Sequence, residues 1–127
     1  MSAQQRIRGR VAWAETDASG QFHYSHAFLW AEAAESALWR RLGRLDLMDR
    51  TPRRSVEAEF LRSLAFDDEY EVTLSLERLG GTSITWGFEI SSGRTCNVRG
   101  RTVIVYVDDA GRPQLVPDDV RELLTRG

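Results

Sequence analysis

The residues best suited to chemistry lie close together near the start of the chain, in the run Glu15, Thr16, Asp17, Ala18, Ser19, Gly20 that leads through His23 and Tyr24 into a helical pattern. A carboxylate there stands beside a helix start. The first turn of a helix offers backbone N–H groups without intrahelical partners, together with the positive end of the macrodipole. Such donors can polarise a carbonyl or hold an oxyanion. Asp17 beside them suits acid–base or nucleophilic work, although the same residue type is also a common helix cap and turn former. Gly20 permits the left-handed backbone that a sharp turn into a helix demands. The two histidines, His23 and His26, are spaced by three, and no further His or Cys completes a cluster with them, so no metal site is expected. His26 reads as a structural residue of the helix, whereas His23 could tune the carboxylate, contact substrate or cap the helix.

The helix that must position these groups is marked by Ala27, Ala31, Ala34, Leu38 and Leu42, which recur at steps of four and three and share one stripe. A stripe of small side chains lets a neighbouring backbone approach closely, so a sheet is expected to wrap this helix; Phe28 and Trp39 widen its apolar face. Glu35 borders the stripe and Glu32 lies further round, both expected to pair with arginines, a subunit interface included. Upstream, Ile7, Gly9, Val11 and Trp13 alternate with Arg6, Arg8 and Arg10, which predicts a half-buried strand over residues 6–13. Downstream, Gly43 and Pro52 punctuate a polar connection. Val56, Ala58 and Phe60 then open a second strand that runs irregularly to a turn at Asp67 and Asp68. Tyr70, Val72, Leu74 and Leu76 form a third. Gly80 and Gly81 supply a hairpin into a fourth, with Ile84, Trp86, Phe88 and Ile90 on one face. The fifth covers about residues 98–107 and is apolar on both faces from 103, as a central strand would be. A turn at 108–111 and the Pro117, Asp118, Asp119 signal for a short closing helix complete the order. The pattern predicts one α+β domain over residues 1–127, its four later strands meandering antiparallel beneath the helix.

The formal net charge of −2 gives no electrostatic case for nucleic acid or an anionic membrane. A single cysteine, Cys96, excludes an intrachain disulfide and suits a reducing compartment. Neither a membrane-spanning apolar run nor the apolar core of a signal peptide is found, so a cytoplasmic location is expected. The chain also lacks a glycine-rich phosphate loop and a Gly-x-Ser-x-Gly elbow.

Glu15, Thr16 and Asp17, followed by Gly20 and then by Tyr24 at the helix opening, resemble the active-site loop of hotdog-fold thioesterases of the 4-hydroxybenzoyl-CoA thioesterase-like group. The segments VEAEFLRSLAFDDEYEV, LERLGGTSITWGFEI and RGRTVIVYVDDAGRP also resemble that family, so the likeness covers nearly the whole chain. It implies a hotdog fold, a five-stranded antiparallel sheet wrapped around one long helix. It implies an acyl-CoA thioesterase in which Asp17 is the catalytic carboxylate, as nucleophile or as general base, and the backbone N–H of Tyr24 polarises the thioester carbonyl. Gly20, His23 and Ser63 are then expected to bind substrate, Ser63 from the partner subunit. Many relatives carry Tyr then His where this chain has His23 and Tyr24, a departure at His23. No metal or organic cofactor is implied, and the expected assembly is a homodimer or homotetramer with sheets paired edge to edge. Arg94, Arg99 and Arg101 are candidates for the coenzyme A phosphates, while Trp13, Trp30 and Phe60 point to an aromatic or medium-length acyl group. Other readings are a thioesterase acting on an acyl carrier protein, a hydratase or dehydratase of the same fold, whose His-Phe-Pro-Gly type of motif is missing, and a non-catalytic acyl-binding protein.

Overall fold

The computed structural model of the chain describes residues 2–126. The long helix α1 spans Ser25–Arg41. Its alanine stripe is the buried face: Ala27, Ala34 and Leu38 are fully enclosed, Ala31 nearly so, and Leu42 beyond the last turn is half-buried. Gly43, at φ 74°, ends it in the left-handed conformation that a helix terminus favours. Around this helix lie β1 (Gln4–Arg10), β2 (Arg53–Phe60), β3 (Glu69–Leu79), β4 (Ser83–Ser92) and β5 (Thr95–Val105), with a closing helix α2 at Asp118–Arg126. They form one antiparallel five-stranded sheet in the hotdog arrangement, with α1 on its inner face. The core joins the two layers: Trp39 on α1 meets Trp86 on β4 edge to face at 5.9 Å, among Leu38, Leu74, Ile84, Ile90 and Ile104.

The strand order is β1-β3-β4-β5-β2, which corrects the expected four-strand meander. Only β3, β4 and β5 meander; β2 pairs with β5 at one edge, and β1 pairs with β3 at the other. The reason lies in residues 61–68, which do not close a hairpin. They run past the tip of α1 and bond to the loop before it, Phe22 N–H donating to Leu64 O at 2.8 Å and Phe66 N–H to Gly20 O at 3.4 Å. The exchange between Val11 and residues 67–68 then delivers the chain to β3 beside β1. Strand β5 is interior, though β4 takes the centre of the sheet.

Strand β1 stops at Arg10, and a 3-10 turn at Trp13–Glu15 rotates the chain, so Trp13 stands 69% exposed instead of continuing the inward row. The sheet's other face is charged. Arg8 pairs with Glu71 at 3.1 Å, Arg99 with Glu59 at 3.1 Å and Arg101 with Glu77 at 2.7 Å. Arg99 and Arg101 therefore alternate away from the buried Val98, Thr102 and Ile104, and carboxylates on the outer face engage both.

Candidate active site

The loop that carries Asp17 is built almost wholly from its own backbone. Thr16 and Phe22 form an antiparallel bridge, Asp17 N–H donates to Gln21 O at 2.8 Å, and Gly20 N–H returns to Asp17 O at 3.1 Å. Gly20 sits at φ 80°, so the tight turn falls on the residue that tolerates it. The Asp17 carboxylate is exposed and folds over this turn, Oδ1 accepting from Ser19 N–H at 2.8 Å and from the Ser19 hydroxyl at 2.5 Å. The Ser19 hydroxyl first, then its N–H, hold this carboxyl below the ordinary aspartate range.

Tyr24 is the residue from which α1 starts, already in helical backbone conformation. Among the described residues nothing accepts its N–H, whereas the three donors after it are engaged. Ser25 N–H donates to His23 Nδ1 at 3.3 Å, with the Ser25 hydroxyl 2.8 Å from the same nitrogen, and His26 and Ala27 donate to the carbonyls of His23 and Tyr24. Because Nδ1 must accept from the Ser25 amide, the neutral His23 ring carries its proton on Nε2.

The structure thus brings Asp17, Gly20, His23 and Tyr24 together at one helix tip. Ser63 lies three residues beyond the end of β2, in the segment bonded to the same loop, where its carbonyl accepts from the Asn97 side chain at 3.2 Å. An aromatic floor surrounds the tip: Phe60 meets Phe22, Tyr24 and Phe28 at centroid distances of 6.5, 6.1 and 6.4 Å. The hollow of about 720 Å³ lies elsewhere, on the charged outer face of the sheet, and one of about 560 Å³ lies along β1 and β3; neither takes in Asp17 or Tyr24. Sequence reasoning missed Ser19, whose spacing of two from an aspartate is a readable turn signal. It gave Glu15 no role of its own. Among the described residues no three or more His, Cys, Asp and Glu side chains are grouped to hold a metal ion, and no helix is long and apolar enough to cross a membrane.

A family model described as the thioesterase-like superfamily matches residues 11–124, from the end of β1 to the closing helix. The chain belongs to that superfamily. As a member it is a thioester hydrolase of the hotdog fold. A predicted thioesterase from Bacillus stearothermophilus is 28% identical to it, with 96% of this chain and 94% of the other covered at a TM-score of 0.88. A thioesterase from Thermus thermophilus, complexed with coenzyme A and Zn, is 21% identical over 94% of this chain and 90% of its own, with a TM-score of 0.89. A mutant of 4-hydroxybenzoyl-CoA thioesterase, complexed with 4-hydroxybenzoyl-CoA, is 18% identical over 98% and 100%, with a TM-score of 0.88. At those identities the last two speak to the fold alone.

Proposed function

We propose that this thioesterase hydrolyses an acyl-CoA, with the Asp17 carboxylate acting at the carbonyl carbon and the Tyr24 N–H receiving the carbonyl oxygen. One observation carries the reading: the carboxylate-bearing loop is bonded to the start of α1, where among the described residues the Tyr24 N–H has no acceptor. In the general-base route Asp17 takes a proton from water as the water oxygen bonds to the carbonyl carbon. The resulting oxyanion is met by the Tyr24 N–H, the C–S bond breaks, and the thiolate leaves to take up the proton. In the nucleophilic route Asp17 itself displaces the thiolate, and water cleaves the mixed anhydride to regenerate the carboxylate. Both convert thioester and water into carboxylic acid and thiol, and neither requires a metal or organic cofactor. Gly20, His23 and Ser63 line the approach to the reacting atoms in this reading. Superfamily membership supports thioester hydrolysis, and the carrier is proposed by analogy with the coenzyme A and 4-hydroxybenzoyl-CoA that two proteins of the same fold bind.

The active assembly in this proposal is a homodimer, or a pair of dimers, joined through the β2 edges, and the whole of residues 1–127 acts as one domain. Its location is the cytoplasm. Asp17→Asn is expected to leave fold and assembly intact and to lower kcat/KM on a good acyl-CoA by at least ~10²-fold. A variant as active as the parent would remove Asp17 from its role. Running one acyl chain on coenzyme A and on an acyl carrier protein separates the two carriers, and a series of chain lengths and aromatic acids gives the acyl preference.

A further inference from the structure

Glu15 accepts three hydrogen bonds, two through its carboxylate and one through its backbone carbonyl. Its side chain is mostly buried, 23% exposed, and uses both oxygens: Oε1 accepts from Ala12 N–H at 2.8 Å and Oε2 from the Trp30 indole N–H at 2.9 Å. Its own carbonyl accepts from His23 N–H at 2.8 Å. The first bond fixes the exit from β1, the second reaches the second turn of α1, and the third holds the residue just before Tyr24. Trp30 is a rigid anchor, since its ring stacks between Phe22 at 5.2 Å and Tyr70 at 4.2 Å and is 5% exposed. His26 Nδ1 lies 3.8 Å from Oε2, the nearest group able to carry the opposite charge.

We infer that Glu15 is a positioning residue, its carboxylate and carbonyl together fixing the separation between the Asp17 carboxylate and the Tyr24 N–H. This rests on the reading of those two groups given above. Asp17 follows Glu15 by two residues and Tyr24 follows His23 by one, so the two reacting groups hang from one clamp. Displacements near 1 Å can cost about two orders of magnitude in rate when reacting groups must meet in line. Glutamine cannot substitute, because it keeps one acceptor oxygen and must turn its NH₂ toward one of the two N–H donors. The ionised carboxylate also makes the stronger bonds.

The test pairs Glu15→Gln with Trp30→Phe, which removes the indole donor and keeps a ring in the stack, and measures kcat and KM on an acyl-CoA beside Asp17→Asn. The expected result is a fall in kcat of about 10-fold in each single variant, with KM within about twofold and with the double variant no slower than the worse single. In Glu15→Gln, one of the four tryptophan indole N–H signals in a ¹H–¹⁵N spectrum should move, as a clamp on Trp30 requires. Parent-like kcat in both single variants, while Asp17→Asn is inactive, would overturn the inference and leave the proposed reaction standing. An active Asp17→Asn would instead remove the reaction and this inference with it. Should Glu15→Gln fail to fold, Trp30→Phe alone decides.

Discussion

At the residue scale the site is a balance of short polar contacts on an exposed loop. Ser19 is the largest influence on Asp17, through a hydroxyl 2.5 Å from the ionised oxygen, and hydrogen bonds to the charged form lower a carboxyl pKa. Ser19→Ala is therefore expected to move the acidic limb of the kcat/KM profile upward, toward the ordinary aspartate value, with little change in the plateau near neutral pH. A pH–rate profile of parent and variant checks this, and coincident acidic limbs would show that Asp17 does not govern the limb. The sign for folding is the same. A depressed folded pKa stabilises above the ordinary aspartate value, and that contribution is lost as pH falls through the folded pKa, although full exposure of Asp17 keeps it small. Much of this was legible beforehand, since Asp17, Gly20, His23 and Tyr24 are neighbours in the chain. Glu15 was not, because its partner Trp30 is fifteen residues away and meets it only once the loop has closed on the helix.

Among elements, the alanine stripe of α1 and the period-two strands were readable because one buried face imposes its period on the sequence. Strand order was not, because it depends on which loop bonds residues 61–68 accept, and nothing local in those residues distinguishes a hairpin from a crossover. Glu35 shows a similar division. Its place beside the stripe was legible, its depth was not: the side chain is 2% exposed and is held by Arg53 at the start of β2, Oε1 to Nη2 at 2.5 Å, with Glu32 3.5 Å from the same nitrogen. The partner arginine belongs to the same chain, which ties the helix to the edge strand. Burial outweighs the pull of Arg53 and raises the Glu35 pKa, and Oε2 is buried without a protein partner. A raised folded pKa gives stability that is fully present below the ordinary glutamate value and lost as pH rises through the folded one. Glu35→Gln is thus expected to abolish that part of the decline. Urea unfolding of parent and variant at a series of pH values measures it, and parallel stability curves across the window would show that Glu35 stays ionised as readily as in the unfolded chain.

For the whole molecule, the decisive feature is the free edge at β2. Strand β2 pairs with β5 on one side only, and its inward-facing Val56 and Phe60 are each 45% exposed, with Leu61 at 45% just beyond and Leu29 of α1 at 53%. An open edge with apolar side chains on its core face is a template for another strand, and the identical edge of a second copy, turned by a two-fold axis, would extend the sheet to ten strands. Phe60 also belongs to the aromatic floor at the helix tip, so such a pairing would border the candidate site. Val56 is the residue to change, because it lies on the edge but outside the aromatic contacts of the tip. Val56→Asp would place a carboxylate between two apolar edges, a burial costing several kcal/mol without a partner, and is expected to weaken association by at least ~10²-fold. Sedimentation velocity over a range of concentrations is then expected to find dimers for the parent and monomers for the variant. Circular dichroism should be unchanged, since the substituted side chain is already half in solvent in the single chain. The kcat/KM on acyl-CoA should fall in step with the dimer fraction and recover at high protein concentration. A monomeric variant with parent activity would show that one chain completes the site, and a dimer untouched by Val56→Asp would move the interface to another face.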